Sequence, residues 1–137
     1  MNNELELREK FFDYLLKRPC TRKQAYEYLT RHKIHEDIID SLMNEAESSG
    51  LIDDLTFAKL LAEGHLSWGN LKITYELVMK GISREDINVA LDEIDDELSR
   101  AVELSESWRK SGIDDRNIKA RLISRGFTNR TIRSIRA

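Results

Sequence analysis

Seven cations crowd the last part of the chain. Arg116, Lys119, Arg121, Arg125, Arg130, Arg133 and Arg136 fall within residues 116–137, and no acidic residue stands among them. That segment carries +7, so residues 1–115 sum to −10 to give the net charge of −3. A basic end on an acidic body suits a polyanion or an acidic protein surface as partner. Chemistry of other kinds finds little support. His32 and His35 form H-x-x-H, but a turn is expected between them and no cysteine or further histidine is near, so they read as surface residues and no metal is expected. Asp53-Asp54 and Asp114-Asp115 resemble paired carboxylates, yet each stands where a helix should begin and N-capping explains it. Cys20 reads as an inert or buried thiol. Neither G-x-G-x-x-G nor G-x-x-x-x-G-K-[ST] occurs, so no nucleotide pocket or other cofactor is expected. Trp68 and Trp108 could stack on bases, but both fall near helix ends with apolar spacing and read more simply as core.

The elements that must hold these residues are helical throughout. Of the 137 residues, 40% are hydrophobic and 34% charged, which favours a helical protein with a thin core over disorder. Leu7, Phe11, Tyr14 and Leu15 mark a helix over 4–18, stopped by Pro19. Thr21 and Gln24 have capping-box spacing ahead of Ala25 and Leu29. A turn near Lys33-Ile34 leads to a helix with Ile38, Ile39, Leu42, Met43 and Ala46. Asp53 or Asp54 caps the next, with Phe57, Ala58, Leu61 and Leu66 on its apolar face. Asn70 should cap a helix carrying Ile73 and Leu77, ended by a left-handed Gly81. Ser83 and Asp86 then open a helix with Ile87, Ala90, Leu91 and Ile94, expected to run through the acidic stretch to Glu97. Leu98, Ala101, Val102, Ser105 and Trp108 mark another, broken at Gly112. Asp114 or Asp115 caps the helix of Ile118 and Leu122, Gly126 ends it, and Thr128 caps a last one with Ile132 and Ile135.

These elements repeat. Ala25–Leu29–Lys33-Ile34–Ile39 aligns with Ile73–Leu77–Gly81-Ile82–Ile87 and with Ile118–Leu122–Gly126-Phe127–Ile132, at offsets of 48 and 45 residues. Fixed-period similarity marks an array whose units stack on their neighbours. The expected fold is all-α: an elongated array of three tandem three-helix repeats, at about 4–50, 53–97 and 98–137. The first copy has Lys33 where the others have glycine, so its turn is expected to differ in shape, avoiding a left-handed lysine. Glycine-turned helix pairs also allow a second reading, a small helical module acting on DNA directly. Arg84, Glu85, Asp86, Asn88 and Asp92 make the middle copy a poor groove reader, and only the third copy, with Arg130, Arg133 and Arg136, would suit. No apolar run reaches the ~20 residues of a membrane span, and no signal pattern opens the chain. With a single cysteine, these features point to a reducing, cytoplasmic setting.

Three segments resemble the RecX regulatory proteins of bacteria: Gly50-Leu51-Ile52-Asp53-Asp54-Leu55-Thr56-Phe57-Ala58; Trp68 through Leu77 with Lys80-Gly81-Ile82-Ser83; and Arg125-Gly126-Phe127 with Ile132. The likeness covers nearly the whole chain, in order, and its central segment is the most specific. It implies tandem three-helix repeats in an elongated, curved molecule. It implies a monomer without catalysis that binds the RecA filament on single-stranded DNA and slows filament extension, ATP turnover and strand exchange, so regulating repair and recombination. DNA would be met through the filament. Lys72, Lys80 and Arg125 become basic contact candidates, while Asp53, Asp54, Phe57, Gly69, Gly81, Ile82, Gly126 and Phe127 would shape the fold. Thr56 replaces a usual arginine, and Asn70 and Thr74 lie where further basic residues are common. The middle repeat therefore suits protein docking, and the basic third repeat a phosphate backbone or an acidic RecA surface.

Overall fold

Caps and breakers divide the chain into short helices. A computed structural model describes residues 2–135. Among these residues lie nine helices and no strand: α1 (Asn2–Lys17), α2 (Arg22–Thr30), α3 (Glu36–Ser48), α4 (Asp54–Gly64), α5 (Asn70–Met79), α6 (Arg84–Asp92), α7 (Glu97–Lys110), α8 (Asp115–Ser124) and α9 (Asn129–Ser134). Thr21 and Gln24 close a full capping box on α2. Asp53, Ser83, Asp96, Asp114 and Thr128 each accept a backbone N–H three residues on, removing an orphan donor from a helix start. His35 caps α3 by accepting from the Asp37 N–H.

The apolar stripes form three separate cores. Leu7, Phe11, Leu15, Ala25, Leu29, Ile39 and Met43 build the first. Ala58, Ala62, Ile73, Leu77, Ile82, Ile87 and Ala90 build the second, and Ala101, Ile118, Leu122, Phe127 and Ile132 the third. Extensive helix packing stays within a unit: α2 on α3, α4 on α6, α7 on α8 and α9. The fold is thus an all-helical array of tandem three-helix units. It exposes 9039 Å², against about 7,400 Å² for a compact monomer of this size, as an extended array should. Leu77 is fully buried in the middle core. Leu77→Ala should cost about 2–5 kcal/mol in urea unfolding, as a buried large-to-small change; unchanged melting would contradict that placement.

Several sequence expectations are corrected. Gly69, not Asn70, is the N-cap of α5, and it offers no side-chain cap; Asn70 has a different task, described below. The helix begun at Ser83 ends at Asp92 instead of running to Glu97, because Asp96 caps a new helix through the Ser99 N–H. Leu66 lies past the end of α4 and is exposed. Leu98 and Val102 are also exposed, since the inward face of α7 is rotated to Glu97, Arg100, Ala101 and Ser105. Lys33 takes the left-handed backbone after all, with φ 51° beside 85° at Gly81 and 84° at Gly126. The hydrogen bonding around it does differ. All three turn residues donate their own N–H three residues back, Lys33 to Thr30, Gly81 to Val78 and Gly126 to Ile123. The two glycine turns also close through Ile82 N–H to the Leu77 carbonyl and Phe127 N–H to the Leu122 carbonyl, a bond that Ile34 does not make to Leu29.

Candidate functional site

The units meet through turns rather than helix faces, and the same joint is built twice. The start of one unit's middle helix sits on the glycine turn that ends the next unit's middle helix. At the first joint, the Thr21 hydroxyl donates to the Lys80 carbonyl at 2.6 Å, and the Arg22 N–H donates to Asp54 Oδ1 at 2.8 Å. A Cβ on Gly81 would stand 2.6 Å from Lys23 Cβ. At the second joint, the Gly69 N–H donates to the Arg125 carbonyl at 2.8 Å and the Leu71 N–H to the Gly126 carbonyl at 3.0 Å. A Cβ on Gly69 would lie 2.2 Å from the Phe127 nitrogen, and one on Gly126 would lie 2.5 Å from Lys72 Cβ. Residues 21 and 69 are equivalent at the 48-residue offset, as 81 and 126 are at 45.

The second joint also holds two buried charges from the first turn of α7. Glu97 and Arg100 are 8% and 4% exposed. Glu97 accepts from the Asn70 N–H at 2.6 Å and from the hydroxyls of Thr128 and Thr131, each at 2.6 Å. Its carboxylate thus ties the start of α5 to α9. Burial pushes the Glu97 carboxyl up, but the hydrogen bonds from Thr128, Thr131 and Asn70 outweigh it and hold the group below its ordinary value. Arg100 reaches the other way. Its Nε donates to the Asp95 carbonyl at 2.8 Å. Its Nη1 donates to the carbonyls of Leu66 and Trp68, and its Nη2 to Asn70 Oδ1. Burial lowers its guanidinium from the ordinary value. Sequence reading missed both residues, treating Glu97 as the end of the acidic stretch that closes the preceding helix. The available signal was spacing: 97, 100, 101, 104 and 108 share one helical face.

The basic candidates divide by place. Lys72 and Lys80, both half-buried, belong to the joints. Lys72 lies against Gly126 with Nζ 4.6 Å above the Trp68 ring, and Lys80 Nζ pairs with Glu76 Oε1 at 3.4 Å. Trp68 also stacks on His65, with ring centroids 3.7 Å apart. In the third unit, the guanidiniums of Arg121 and Arg125 stand 5.3 and 5.1 Å from the Trp108 ring, a cation–π arrangement. Lys119 and Arg133 flank a groove of about 260 Å³ floored by Ile118, Leu122, Ile132 and Ile135. Arg116 and Arg130 are exposed. Among the described residues, none of Arg116, Lys119, Arg130 and Arg133 has an ion-pair partner. Arg136 lies outside the described residues. No grouping of His, Cys, Asp and Glu among the described residues could hold a metal ion. Cys20 is buried, and burial raises its thiol above the ordinary value.

Comparison with known proteins now places this architecture. The family model described as "RecX, second three-helix domain" matches residues 53–91. A regulatory protein RecX from Chlorobium phaeobacteroides is 32% identical over 139 residues, covering 91% of this chain and 90% of that protein. The chain belongs to the RecX family. Longer RecX proteins match as well: one from Lactobacillus delbrueckii subsp. bulgaricus is 28% identical over 84% of this chain. One from Listeria monocytogenes is 27% identical over 88% of it. The chain spans about half the length of those two relatives, 46% and 49%. The crystal structure of RecX from Lactobacillus salivarius superposes with a TM-score of 0.82 at 25% identity, covering 98% of this chain and 95% of that one. A second RecX crystal structure, at 20% identity and a TM-score of 0.76, shares the fold. In this RecX-family chain the signature glycines Gly69, Gly81 and Gly126 are joint residues, placed where a side chain would meet the neighbouring unit.

Proposed function

We propose that this RecX-family chain binds the RecA filament on single-stranded DNA and restrains recombinase and ATPase activity, regulating DNA repair and recombination, including the SOS response. It acts as a cytoplasmic monomer without catalysis of its own. The observation that carries the reading is the exposed set of cations on α8 and α9. Arg116, Lys119, Arg130 and Arg133 have no ion-pair partner among the described residues, and residues 116–137 contain no acidic residue. Cations left unpaired at one end of the array suit a filament that presents phosphates and acidic side chains. Among the described residues no helix is long and apolar enough to cross a membrane.

RecA's DNA-dependent ATP hydrolysis tests the reading. Stoichiometric protein should slow it, and unchanged hydrolysis and strand exchange would overturn the proposal. Arg130→Ala combined with Arg133→Ala should weaken filament binding by about tenfold or more and flatten its salt dependence, by roughly 0.7 log units per log salt for each lost contact to single-stranded phosphate. Both side chains are exposed, so melting should not move. Tight binding of this chain to DNA alone would favour a directly acting DNA-binding module.

A further inference from the structure

The middle helix of the middle unit has two apolar faces. Ile73 and Leu77 fill the core from one. The opposite face carries Leu71, Tyr75, Val78 and Met79, exposed by 59, 61, 49 and 57%. Their spacing (i, i+4, i+7, i+8) makes one continuous stripe along α5. Apolar patches of this kind on soluble monomers are often functional. The charges beside it are already engaged: Lys72 lies over Trp68, and Glu76 pairs with Lys80. The stripe's own four side chains are uncharged and apolar, a poor match for a phosphate backbone and a good one for protein. From those exposures its area is on the order of 400 Å², within the range of the largest apolar patch of a typical monomer. It is roughly half of the ~800 Å² that each partner contributes to a standard specific interface. A second copy docking through this stripe alone would fall short of that size. A partner that also meets the basic α8 and α9 would not.

We infer that the Leu71–Tyr75–Val78–Met79 face of α5 docks into an apolar groove on the protein subunits of the filament, one unit away from the cations. This rests on the filament reading above and adds the protein-contacting surface to it. The two surfaces divide the work. The apolar stripe supplies affinity that salt does not screen, and the cations supply the salt-sensitive part.

The test is Tyr75→Ser with Met79→Ser, two exposed changes that remove apolar contact and leave the core alone. Fluorescence anisotropy should show the variant binding RecA on single-stranded DNA about tenfold or more weakly, with an unchanged salt slope and unchanged melting. Binding within about twofold of the parent chain overturns the stripe's role while leaving the filament reading intact. If the parent chain itself fails to bind, the filament reading falls and this inference with it. Sedimentation equilibrium of the parent should give a monomer. Self-association that the double variant abolishes would assign the stripe to a second copy and overturn the proposal.

Discussion

Arg100→Ala should lower the unfolding free energy by about 3–5 kcal/mol, the usual cost of removing one member of a buried charged network. Urea unfolding followed by circular dichroism would show it. The reason is a count of orphans. The guanidinium serves the carbonyls of Asp95, Leu66 and Trp68 and the side chain of Asn70, and alanine serves none of them. Each acceptor left buried without a donor costs about 1–3 kcal/mol, less where water can reach it. Glu97 also loses the nearby positive charge while remaining buried among its own donors. Arg116→Ala makes the comparison sharp, since that side chain is exposed and its loss should stay within about 0.5 kcal/mol. A loss below about 1 kcal/mol for Arg100→Ala would show that the joint does not depend on this side chain.

The second large effect is expected at Gly69. Its φ of −79° suits any residue, so Gly69→Ala introduces no backbone strain. The whole cost is steric. A methyl would stand 2.2 to 2.3 Å from main-chain atoms of Gly126 and Phe127, and main chain cannot swing aside as a flexible side chain can. The joint must open, and the hydrogen bonds from the Gly69 and Leu71 N–H groups go with it. Overpacking of about 1–3 kcal/mol and two hydrogen bonds of about 1 kcal/mol each give a loss of about 3–5 kcal/mol. Gly112→Ala reverses the two terms. There φ is 90° and no atom lies within 4 Å of the new methyl, so only the left-handed strain of about 1–2 kcal/mol remains. Thermal unfolding of the pair separates joint from turn: equal losses would mean that the contact at Gly69 relaxes easily.

Much of the fold was legible because local rules govern it. A serine, threonine or aspartate before a helix caps it regardless of its distant neighbours, and Thr21, Asp53, Ser83, Asp114 and Thr128 do so. The repeat was legible from the spacing of Ile73, Leu77, Gly81 and their counterparts. The joints were not. Asn70 has the right chemistry for a cap, but its side chain is claimed by Arg100 from 30 residues away. Glu97 and Arg100 are charged, and sequence reasoning puts charges outside. Only the donors on α5 and α9, brought in by the tertiary fold, make their burial tolerable. On α7, the expected Ala101, Ser105 and Trp108 do face the core, but Leu98 and Val102 do not, because the buried stripe is rotated to take in Glu97 and Arg100. The basic residues were visible as a cluster, yet their division between joints and open surface depends on which glycine turn each one faces.

Lys33 has a consequence for how copies of the chain treat one another. A joint that sets the start of one middle helix on the next unit's glycine turn is head-to-tail, and a head-to-tail contact repeated between copies does not close on itself but grows into an open polymer. Growth would require the start of α8, at Asp114, to seat on the first unit's turn, as Thr21 and Gly69 seat on theirs. That turn has the left-handed backbone such a seat needs. It also carries a lysine side chain in the place where the two seated turns tolerate only hydrogen. The left-handed lysine costs about 1–2 kcal/mol within the chain. In return, a side chain stands where the two seated turns have none, which disfavours that head-to-tail contact between copies.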